Sequence, residues 1–301
     1  MSARAGSVWT AQAEARLRAH HASGLSYRSI ATVMGLTVGQ ISGRMRLLNL
    51  HFRIRESAVP LRSDHPAAVD ARTIFPATVA DPGDTWKVLK PGRESFKLGA
   101  IVEKGAWRGF PIFSLTLEER ATCPRSCAQW LWCYGNTSAY RTRIAHGADL
   151  EAALHAELSE LDRAARRRHR GFAVRLHMLG DFYSAAYVDL WRAWLDRSPT
   201  LHVFGYTAWP LGSEIGDAVH DLAHTSWRRF AIRQSASEPG AHRTIVVRDA
   251  AEAEAAGAIV CPAQTGATRC CGTCGLCWAP AARDKTIAFL RHGMSRGKAR
   301  A

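Results

Sequence analysis

No apolar run in the 301 residues reaches the roughly 18 that a membrane-spanning helix requires. The first ten residues, MSARAGSVWT, lack the apolar stretch of a secretory signal peptide. Internal repeats and low-complexity tracts are also absent from the sequence. We therefore expect a cytoplasmic protein with no membrane partner. Because the cytoplasm is reducing, its eight cysteines are not expected to form disulfides.

Acidic residues are scarce relative to basic ones. The chain has 26 Asp and Glu against 40 Lys and Arg, a net charge of +14. Such an excess is typical of proteins that bind a polyanion, most often nucleic acid. Half of it lies in residues 1–62, where nine arginines, two glutamates and no lysine give +7. Cysteine is missing from the same stretch, so we expect a basic N-terminal module followed by a cysteine-bearing domain.

Residues 10–50 have the pattern of three short helices. Gly35 provides the turn after the second helix, and Thr37 can cap the third. Ile41 and Met45 lie on one face of that third helix. A glycine-containing turn between two helices is typical of a helix-turn-helix, whose second helix enters the major groove of DNA. The predicted DNA contacts are Gln40, Arg44, Arg46 and Arg53.

A frame of shared residues relates this stretch to a known family. They are Trp9-Thr10, Gly24-Leu25-Ser26, Ile30-Ala31, Gly35, Thr37, Gly43-Arg44 and Leu48-x-Leu50. Over about 40 residues the stretch resembles the GcrA-type cell-cycle regulators. The resemblance implies DNA binding, although Val38-Gly39 and Leu47 differ from the polar residues and the arginine that are usual in the family. A small helical adaptor for another protein is the alternative.

Proline is concentrated between the basic module and the first cysteine. Five of the twelve prolines lie in residues 51–92, and proline interrupts regular elements because it lacks an N–H donor and fixes φ. The sequence therefore predicts three parts. They are a helix-turn-helix module at residues 1–51, a proline-rich linker at 52–84 and an α/β metal-cluster domain at 85–301.

Helical and strand-like patterns alternate in the second half of the chain. They include a helix at Leu150–His169 and strands at Phe172–Leu179 and Leu201–Thr207. This alternation is typical of βαβ units with a parallel sheet. With a first strand at Lys97–Val102 or Pro111–Leu115, about six strands result. The predicted fold class is α/β, a partial or complete βα barrel with parallel strands, plus the small N-terminal three-helix module.

Polar residues near the carboxyl ends of these strands are the candidates for catalysis, because function in such folds gathers there. Arg175 and His177 alternate with apolar residues in one predicted strand and would point into a barrel. Tyr206 lies near the end of the next strand. Arg175, His177 and Tyr206 are the predicted catalytic residues. The alternative for Arg175 and His177 is a structural role with satisfied hydrogen bonds.

The eight cysteines form two groups. The first is a C-x3-C-x5-C loop of Cys123, Cys127 and Cys133. The second has the C-x2-C-x2-C spacing of ferredoxins, and its predicted ligands are Cys271, Cys274, Cys277 and the more distant Cys261. One or two [4Fe–4S] clusters are predicted, and structural zinc is the alternative because tetrahedral Cys₄ sites use similar spacings. Cys270 is spare or completes the first site.

Four motifs occur in a fixed order over roughly residues 95–278. They are FKLG…FPIFSLTLEERATCPRSC…CYGN, RLHMLGDFYS…Y…LW, FGYTAW and CPAQTG…CGTCGLCW. On these motifs the domain resembles the phage-associated family called gene product eighty-eight. The resemblance implies a phage-related protein and no particular reaction.

The same domain is similar, more distantly, to radical S-adenosylmethionine enzymes. Cys123-x3-Cys127 matches the beginning of their cluster motif, and Cys133-Tyr134 matches its end after five residues instead of two. Gly180-Asp181 matches the position of their Gly-Gly-Glu-type motif. The resemblance implies a [4Fe–4S] cluster on three thiolates and S-adenosylmethionine on the open iron. Gly180 and Asp181 would hold the amino group of that cofactor.

Two functions therefore compete. The first is an iron–sulfur protein of radical S-adenosylmethionine type that its N-terminal module targets to DNA. The second is a non-enzymatic DNA-binding regulator whose cysteines hold structural zinc or sense redox state. A zinc-dependent nucleic-acid enzyme is less favoured, because the deaminase signature of H-x-E together with P-C-x-x-C is absent, and no P-C-x-x-C occurs in the chain.

Overall fold

The computed structural model describes residues 8–23, 25, 27–48, 50 and 60–291 of the chain. These residues form two compact units, one that ends at residue 50 and one that begins at residue 60. The described part of the first unit is helical, and the second unit combines helices with a large sheet.

The N-terminal unit consists of three helices around a small apolar core. The helices are α1 (Ala11–Ala22), α2 (Tyr27–Met34) and α3 (Val38–Leu47). Thr10 caps α1, because its hydroxyl accepts the backbone N–H of Ala13 at 3.1 Å. Gly35 takes a φ of +66° in the turn after α2, a conformation that glycine adopts without steric cost. The three helices that the sequence predicts are therefore present. Their shared core consists of Leu17, Ile30, Ala31, Ile41 and Met45.

The larger unit alternates strands with helices. Its strands are β1 (Val79–Ala80), β2 (Lys90–Pro91), β3 (Ile112–Ser114), β4 (Arg143–Ile144), β5 (Phe172–Leu176), β6 (Leu201–Thr207), β7 (Phe230–Ser235), β8 (Arg243–Val247), β9 (Ile259–Val260) and β10 (Ile287–Leu290). Its α-helices are α4 (Pro66–Val69), α5 (Ala148–Arg167), α6 (Ala185–Arg197), α7 (Glu214–Ser226), α8 (Ala250–Ala255), α9 (Pro262–Thr265) and α10 (Cys271–Cys274). None of the helices in the described residues combines the length and the apolarity that crossing a membrane requires.

Eight of the strands form one sheet in the order β2-β3-β5-β6-β7-β8-β10-β9. All neighbours are parallel except β2 and β3. β1 and β4 form a separate parallel pair. The prediction of an α/β fold with a largely parallel sheet is confirmed. Strand pairing does not complete a barrel in the described residues, because the two-residue strands β2 and β9 lie at opposite ends of the order and do not pair with each other. Of the two candidate first strands, residues 112–114 form one, whereas 97–102 contribute only an isolated bridge between Ile101 and Pro111.

The two faces of the sheet carry different apolar cores. Val174, Val203 and Ile232 alternate onto the face that α5, α6 and α7 cover. Their neighbours Ala173 and Phe204 belong to the opposite face, as do Ala231 of β7 and Ile287 of β10. This second core also contains Trp107 and Trp278, whose rings stack with centroids 5.2 Å apart. Strand alternation therefore separates a helix-covered face from a face on which chain segments between strands lie.

Residues 60–84 correct the predicted linker. They belong to the larger unit and contain α4, β1 and the buried residues Ala67, Ala68 and Thr73. The backbone N–H and hydroxyl of Thr73 bond to Glu118 and Glu119 at 3.0 and 2.8 Å. Prolines begin the short helical turns of this segment and do not interrupt its packing, because proline is tolerated at the first helical position. Residues 52–59 of the predicted linker lie outside the described residues.

Candidate metal and cofactor site

The first cysteine loop follows β3. Cys123, Cys127 and Cys133 are free and partly buried. Desolvation raises the pKa of the Cys123 thiol well above its ordinary value, and the charges of Asp181, Cys133 and Cys127 raise it further. Desolvation and the nearby Glu119 raise the pKa of Cys133 to about 12. These mutual effects indicate that the three thiols and Asp181 lie close to one another.

A buried ion pair holds the two ends of this loop together. Arg143 of β4 donates to both carboxylate oxygens of Glu119, from Nε at 2.6 Å and from Nη2 at 2.9 Å. The same Nη2 donates to the carbonyl of Gly135 at 3.2 Å. Glu119 precedes the three cysteines and Gly135 follows them. One guanidinium therefore joins both sides of the loop.

A second arginine supports the loop from within. Arg120 donates to the carbonyl of Trp130 at 3.1 Å, to the carbonyl of Arg72 at 3.2 Å and to the side-chain oxygen of Asn136. Neither Arg120 nor the Glu119–Arg143 pair is among the predicted site residues. The available signal is the charged triplet Glu118-Glu119-Arg120, which follows β3 by a few residues and is buried. Buried charges need partners, so such a triplet indicates a polar network.

Gly180 and Asp181 meet the first cysteine loop after β5. Gly180 takes a φ of +78°, and a Cβ there would lie 2.6 Å from Thr122 Oγ1, so only glycine fits. Thr122 Oγ1 also accepts the backbone N–H of Asp181 at 3.0 Å. The Asp181 carboxylate accepts the N–H groups of Phe182 at 2.8 Å and Ala208 at 2.6 Å. Desolvation outweighs these bonds and raises the pKa of Asp181 to about 7.

The second cysteine group lies beside residues 97–103. The backbone N–H of Cys271 donates to the carbonyl of Lys97 at 2.8 Å, and that of Gly272 donates to Leu98 at 2.9 Å. A Cβ on Gly272 would overlap the carbonyl oxygen of Ile101, so this close approach requires glycine. The segment that carries the second group is therefore bonded to the segment that precedes β3.

The thiols of the second group are free and act on one another. Desolvation, with smaller contributions from Cys261 and Cys274, raises the pKa of Cys277 to about 11 against the lowering effect of a hydrogen bond from Tyr206. Desolvation also raises the pKa of Cys271, as do Cys277, Cys261 and Cys274. All four predicted ligands of this group are therefore neighbours.

Cys270 is buried and lies apart from these contacts. Its Sγ shares a hydrogen bond of 3.0 Å with Thr273 Oγ1 and lies against Gly99, whose φ is +79°. These contacts are those of a small residue in a core.

Arg175 and Tyr206 lie beside the second cysteine group. The guanidinium of Arg175 is 4.4 Å from the ring centroid of Tyr206, and Tyr206 Oη is 2.9 Å from Cys277 Sγ. The charge of Arg175 lowers the pKa values of Cys271 in the second group and of Tyr134 beside the first, against the larger effect of desolvation. No carboxylate in the described residues forms an ion pair with Arg175. The sheet therefore brings two of the three predicted catalytic residues together.

His177 is the exception, and the predicted inward orientation is wrong for it. Its Nε2 lies 3.1 Å from the hydroxyl of Tyr187, and its ring packs edge-on against Phe182, on the helix-covered side of the sheet. The reason is that β5 ends at Leu176, so the alternation that would turn His177 toward Arg175 does not continue. Desolvation, with Arg175 adding to it, lowers the pKa of His177 to about 3.

In the described parts of the chain, no group of three or more His, Cys, Asp or Glu side chains is arranged to hold a metal ion. The thiols of each group are neighbours, as their mutual pKa effects indicate, but they do not converge on one point. The donor chemistry nevertheless suits a soft metal or a cluster, since all eight cysteines are free. The N–H of Gly135 already donates to Cys133 Sγ at 3.4 Å, the kind of bond that thiolate ligands accept.

The predicted DNA contacts of the N-terminal unit are partly engaged within the unit. Gln40 Oε1 accepts the backbone N–H of Thr37 at 2.8 Å while Thr37 Oγ1 accepts that of Gln40, a capping box at the start of α3. Arg44 forms an ion pair with Glu14 and lies over the ring of Trp9 at 5.7 Å. The side chain of Arg46 and all of Arg53 lie outside the described residues.

Compared with protein-family models, with curated proteins and with solved structures, the chain matches none of them.

Proposed function

We propose that the larger unit is an iron–sulfur protein that holds one or two [4Fe–4S] clusters on its two cysteine groups. The observation that carries the proposal is that residues near the carboxyl ends of β5 and β6 reach both groups. The charge of Arg175 acts on Tyr134 beside the first group and on Cys271 of the second, and Tyr206 Oη lies 2.9 Å from Cys277 Sγ. Sites of parallel α/β folds are built at these strand ends. The predicted ligands are Cys123, Cys127 and Cys133 in the first group and Cys261, Cys271, Cys274 and Cys277 in the second.

The sheet is proposed to curve into a partial βα barrel. The strand order follows the chain from β3 to β8, as it does in barrels. Beyond β9, at one end of this order, the backbone of Cys271 and Gly272 bonds to Lys97 and Leu98, which precede β3 at the other end. Stacking of Trp107 on Trp278 joins the same two ends. Such contacts support a sheet whose edges approach each other through chain segments and not through a strand ladder.

The first group is proposed to serve a radical S-adenosylmethionine-type reaction. A cluster on its three thiolates, with that cofactor bound, supplies one-electron reductive cleavage. Asp181 supports this role because its carboxylate accepts two backbone N–H groups and a hydrogen bond from Thr207 and keeps a lone pair for an ammonium donor. Gly180 permits the close approach to Thr122 that a side chain would prevent, and Thr122 in turn bonds to the backbone of Asp181. Arg175 offers a cation for an anionic group of a substrate.

The N-terminal unit is proposed to bind DNA as a helix-turn-helix formed by α2 and α3. Its turn contains Gly35, and residues 1–62 carry a net charge of +7. The alternative, a protein adaptor, is favoured by the internal bonds of Gln40 and Arg44, which occupy two of the four predicted DNA contacts.

A structural zinc is the alternative for the second group. Arg233 donates to three backbone carbonyls around it, those of Cys277, Ala282 and Lys285 at 3.0, 2.6 and 2.9 Å. This segment therefore stabilises the fold, as zinc-bearing loops do. In that case the protein is a regulator whose cysteines do no chemistry.

Metal analysis of the full chain, purified without oxygen, tests the proposal. We expect iron and sulfide, the visible absorbance of [4Fe–4S] clusters and binding of S-adenosylmethionine. Cys127→Ala should lose one cluster and the cofactor binding, whereas Cys274→Ala should lose the other cluster. Cys270→Ala is the matched control and should keep all the iron, because Cys270 contacts Gly99 and Thr273.

Stoichiometric zinc without iron would refute the iron–sulfur proposal and favour the regulator. Iron that survives both Cys127→Ala and Cys274→Ala would refute the ligand assignment. Iron without any cofactor binding would refute the radical reaction and leave an iron–sulfur protein.

A further inference from the structure

Two contacts join the second cysteine group to strands of the sheet. Tyr206 Oη lies 2.9 Å from Cys277 Sγ, within hydrogen-bond distance. The guanidinium of Arg175 lies over the ring of Tyr206, 4.4 Å from its centroid. The three side chains therefore form a row of contacts that runs from β5 through β6 to the second group.

The sheet fixes this row from both sides. The ring of Tyr206 packs edge-on against Phe289 of β10, with centroids 5.3 Å apart. The carbonyl of Cys277 accepts a hydrogen bond from Arg233 Nε of β7 at 3.0 Å. Tyr206 of β6 and Arg233 of β7, which bond to the side chain and the carbonyl of Cys277, thus lie on neighbouring strands in the middle of the sheet. The contact between Tyr206 and Cys277 therefore does not depend on the conformation of the cysteine loop alone.

The hydrogen bond has one possible direction when Cys277 is a ligand. A metal-bound thiolate carries no proton, so the hydroxyl of Tyr206 must donate to the sulfur. A donor to a ligand sulfur stabilises the reduced cluster, which is the more negative form, and so raises its reduction potential. A guanidinium over the ring draws electron density from the hydroxyl and strengthens the donor.

We propose that Tyr206 is a positioning residue that donates a hydrogen bond to Cys277 and raises the reduction potential of a cluster in the second group, and that Arg175 acts through Tyr206. This inference rests on the proposed iron–sulfur function. It also gives Tyr206 a role at the cluster, whereas the sequence predicts it as a catalytic residue.

Redox titration of the full chain, with dithionite as electron donor and electron paramagnetic resonance as the readout, tests the proposal. The titration is made with Cys127→Ala present throughout, so that the second group holds the one cluster measured. Tyr206→Phe should lower its potential. Tyr183→Phe is the matched control, since that hydroxyl donates to Glu151 at 2.8 Å on the helix-covered side, and it should leave the potential unchanged.

A double-mutant cycle tests the role of Arg175. Arg175→Gln should lower the potential by itself, and adding it to Tyr206→Phe should lower the potential no further, because residues that act through one contact are not additive. Full additivity would overturn the second half of the proposal and show that Arg175 acts on the cluster directly.

The outcomes separate this inference from the proposed function. If the protein contains iron and Tyr206→Phe has the potential of the parent, the inference is wrong and the iron–sulfur function stands. If the protein contains no iron, both are wrong. Should Tyr206→Phe not fold, resonance Raman of the parent in H₂O and D₂O replaces it. Iron–sulfur stretching bands that do not shift overturn the inference, and a shift that Arg175→Gln reduces supports it.

Discussion

Glu119 and Arg143 form a two-point ion pair that is fully excluded from solvent, with side-chain exposures of 1% and 0%. They lie on opposite sides of the first cysteine loop, which spans Cys123 to Cys133. Removing one member of a buried pair leaves the other charge uncompensated in the interior, which is far more costly than losing an exposed pair. The conformation of this loop therefore depends on the charge of Glu119.

Glu119→Gln tests this dependence. We expect the free energy of unfolding of the larger unit to fall by about 3–5 kcal/mol, as for other broken buried pairs. Urea titration measures the change. Glu252→Gln, which breaks the exposed pair with Arg248, is the matched control and should have no measurable effect. Equal effects of the two variants would contradict the argument.

Gly205 lies in the middle of β6, where the backbones of two strands approach closely. A Cβ at this position would overlap the carbonyl oxygen of Leu176. We expect Gly205→Ala to prevent accumulation of folded protein or to lower its melting temperature sharply, because backbone cannot yield as a side chain can. Gly83→Ala is the control, since nothing lies within 4 Å of its added Cβ. Thermal unfolding followed by circular dichroism distinguishes the two, and a Gly205→Ala protein as stable as the control would refute the prediction.

His177 makes the larger unit sensitive to acid. Desolvation lowers its pKa to about 3 from 6.5, so the folded protein keeps it neutral while the unfolded chain binds a proton below pH 6.5. Unfolding therefore takes up a proton when the pH lies between about 3 and 6.5. The free energy of unfolding should fall as the pH decreases from 6.5 toward 3, by about 1.4 kcal/mol per pH unit for each such histidine.

Urea titrations at several pH values, with metal removed, check this expectation. His177→Gln should reduce the slope of stability against pH, because glutamine does not titrate and can still bond to Tyr187. His146→Gln, at an exposed position, serves as the control. A slope that is the same in His177→Gln and in the unmodified chain would show that His177 is not responsible.

Arg44 has a structural role in the N-terminal unit through Glu14 and Trp9. Arg44→Ala and Glu14→Gln should each accelerate hydrogen exchange in α3 by about fivefold, the equivalent of about 1 kcal/mol for one ion pair. The full chain is used for the measurement. If Arg44→Ala alone abolishes a DNA shift and neither variant changes the exchange, Arg44 contacts DNA and the structural role is refuted.

Local patterns in the sequence predicted much of the fold. The helix predicted at Leu150–His169 is α5, and the strand predicted at Leu201–Thr207 is β6. Thr10 and Gly35 occupy the cap and turn positions that their chemistry favours. These features are predictable because helix periodicity, capping and glycine conformation depend on residues within about one turn of each other.

The sequence also identified residues by type, and the structure decided which of them meet. Arg175 and Tyr206 lie together because β5 and β6 are adjacent parallel strands, whereas His177 follows the end of β5 and faces the helices. The pair of Glu119 and Arg143 joins residues 24 positions apart along the chain. Contacts of this kind depend on strand order and packing, which no local pattern specifies.

The sequence by itself therefore determined the helices, the parallel strands and the two sets of free thiols. Only the tertiary structure decided that the charge of Arg175 acts on Cys271 in one set and on Tyr134 beside the other, and that residues 60–84 belong to the larger unit. The physical reason is that secondary structure follows from neighbours in the chain. A site, in contrast, follows from side chains that a sheet brings together across long stretches of sequence.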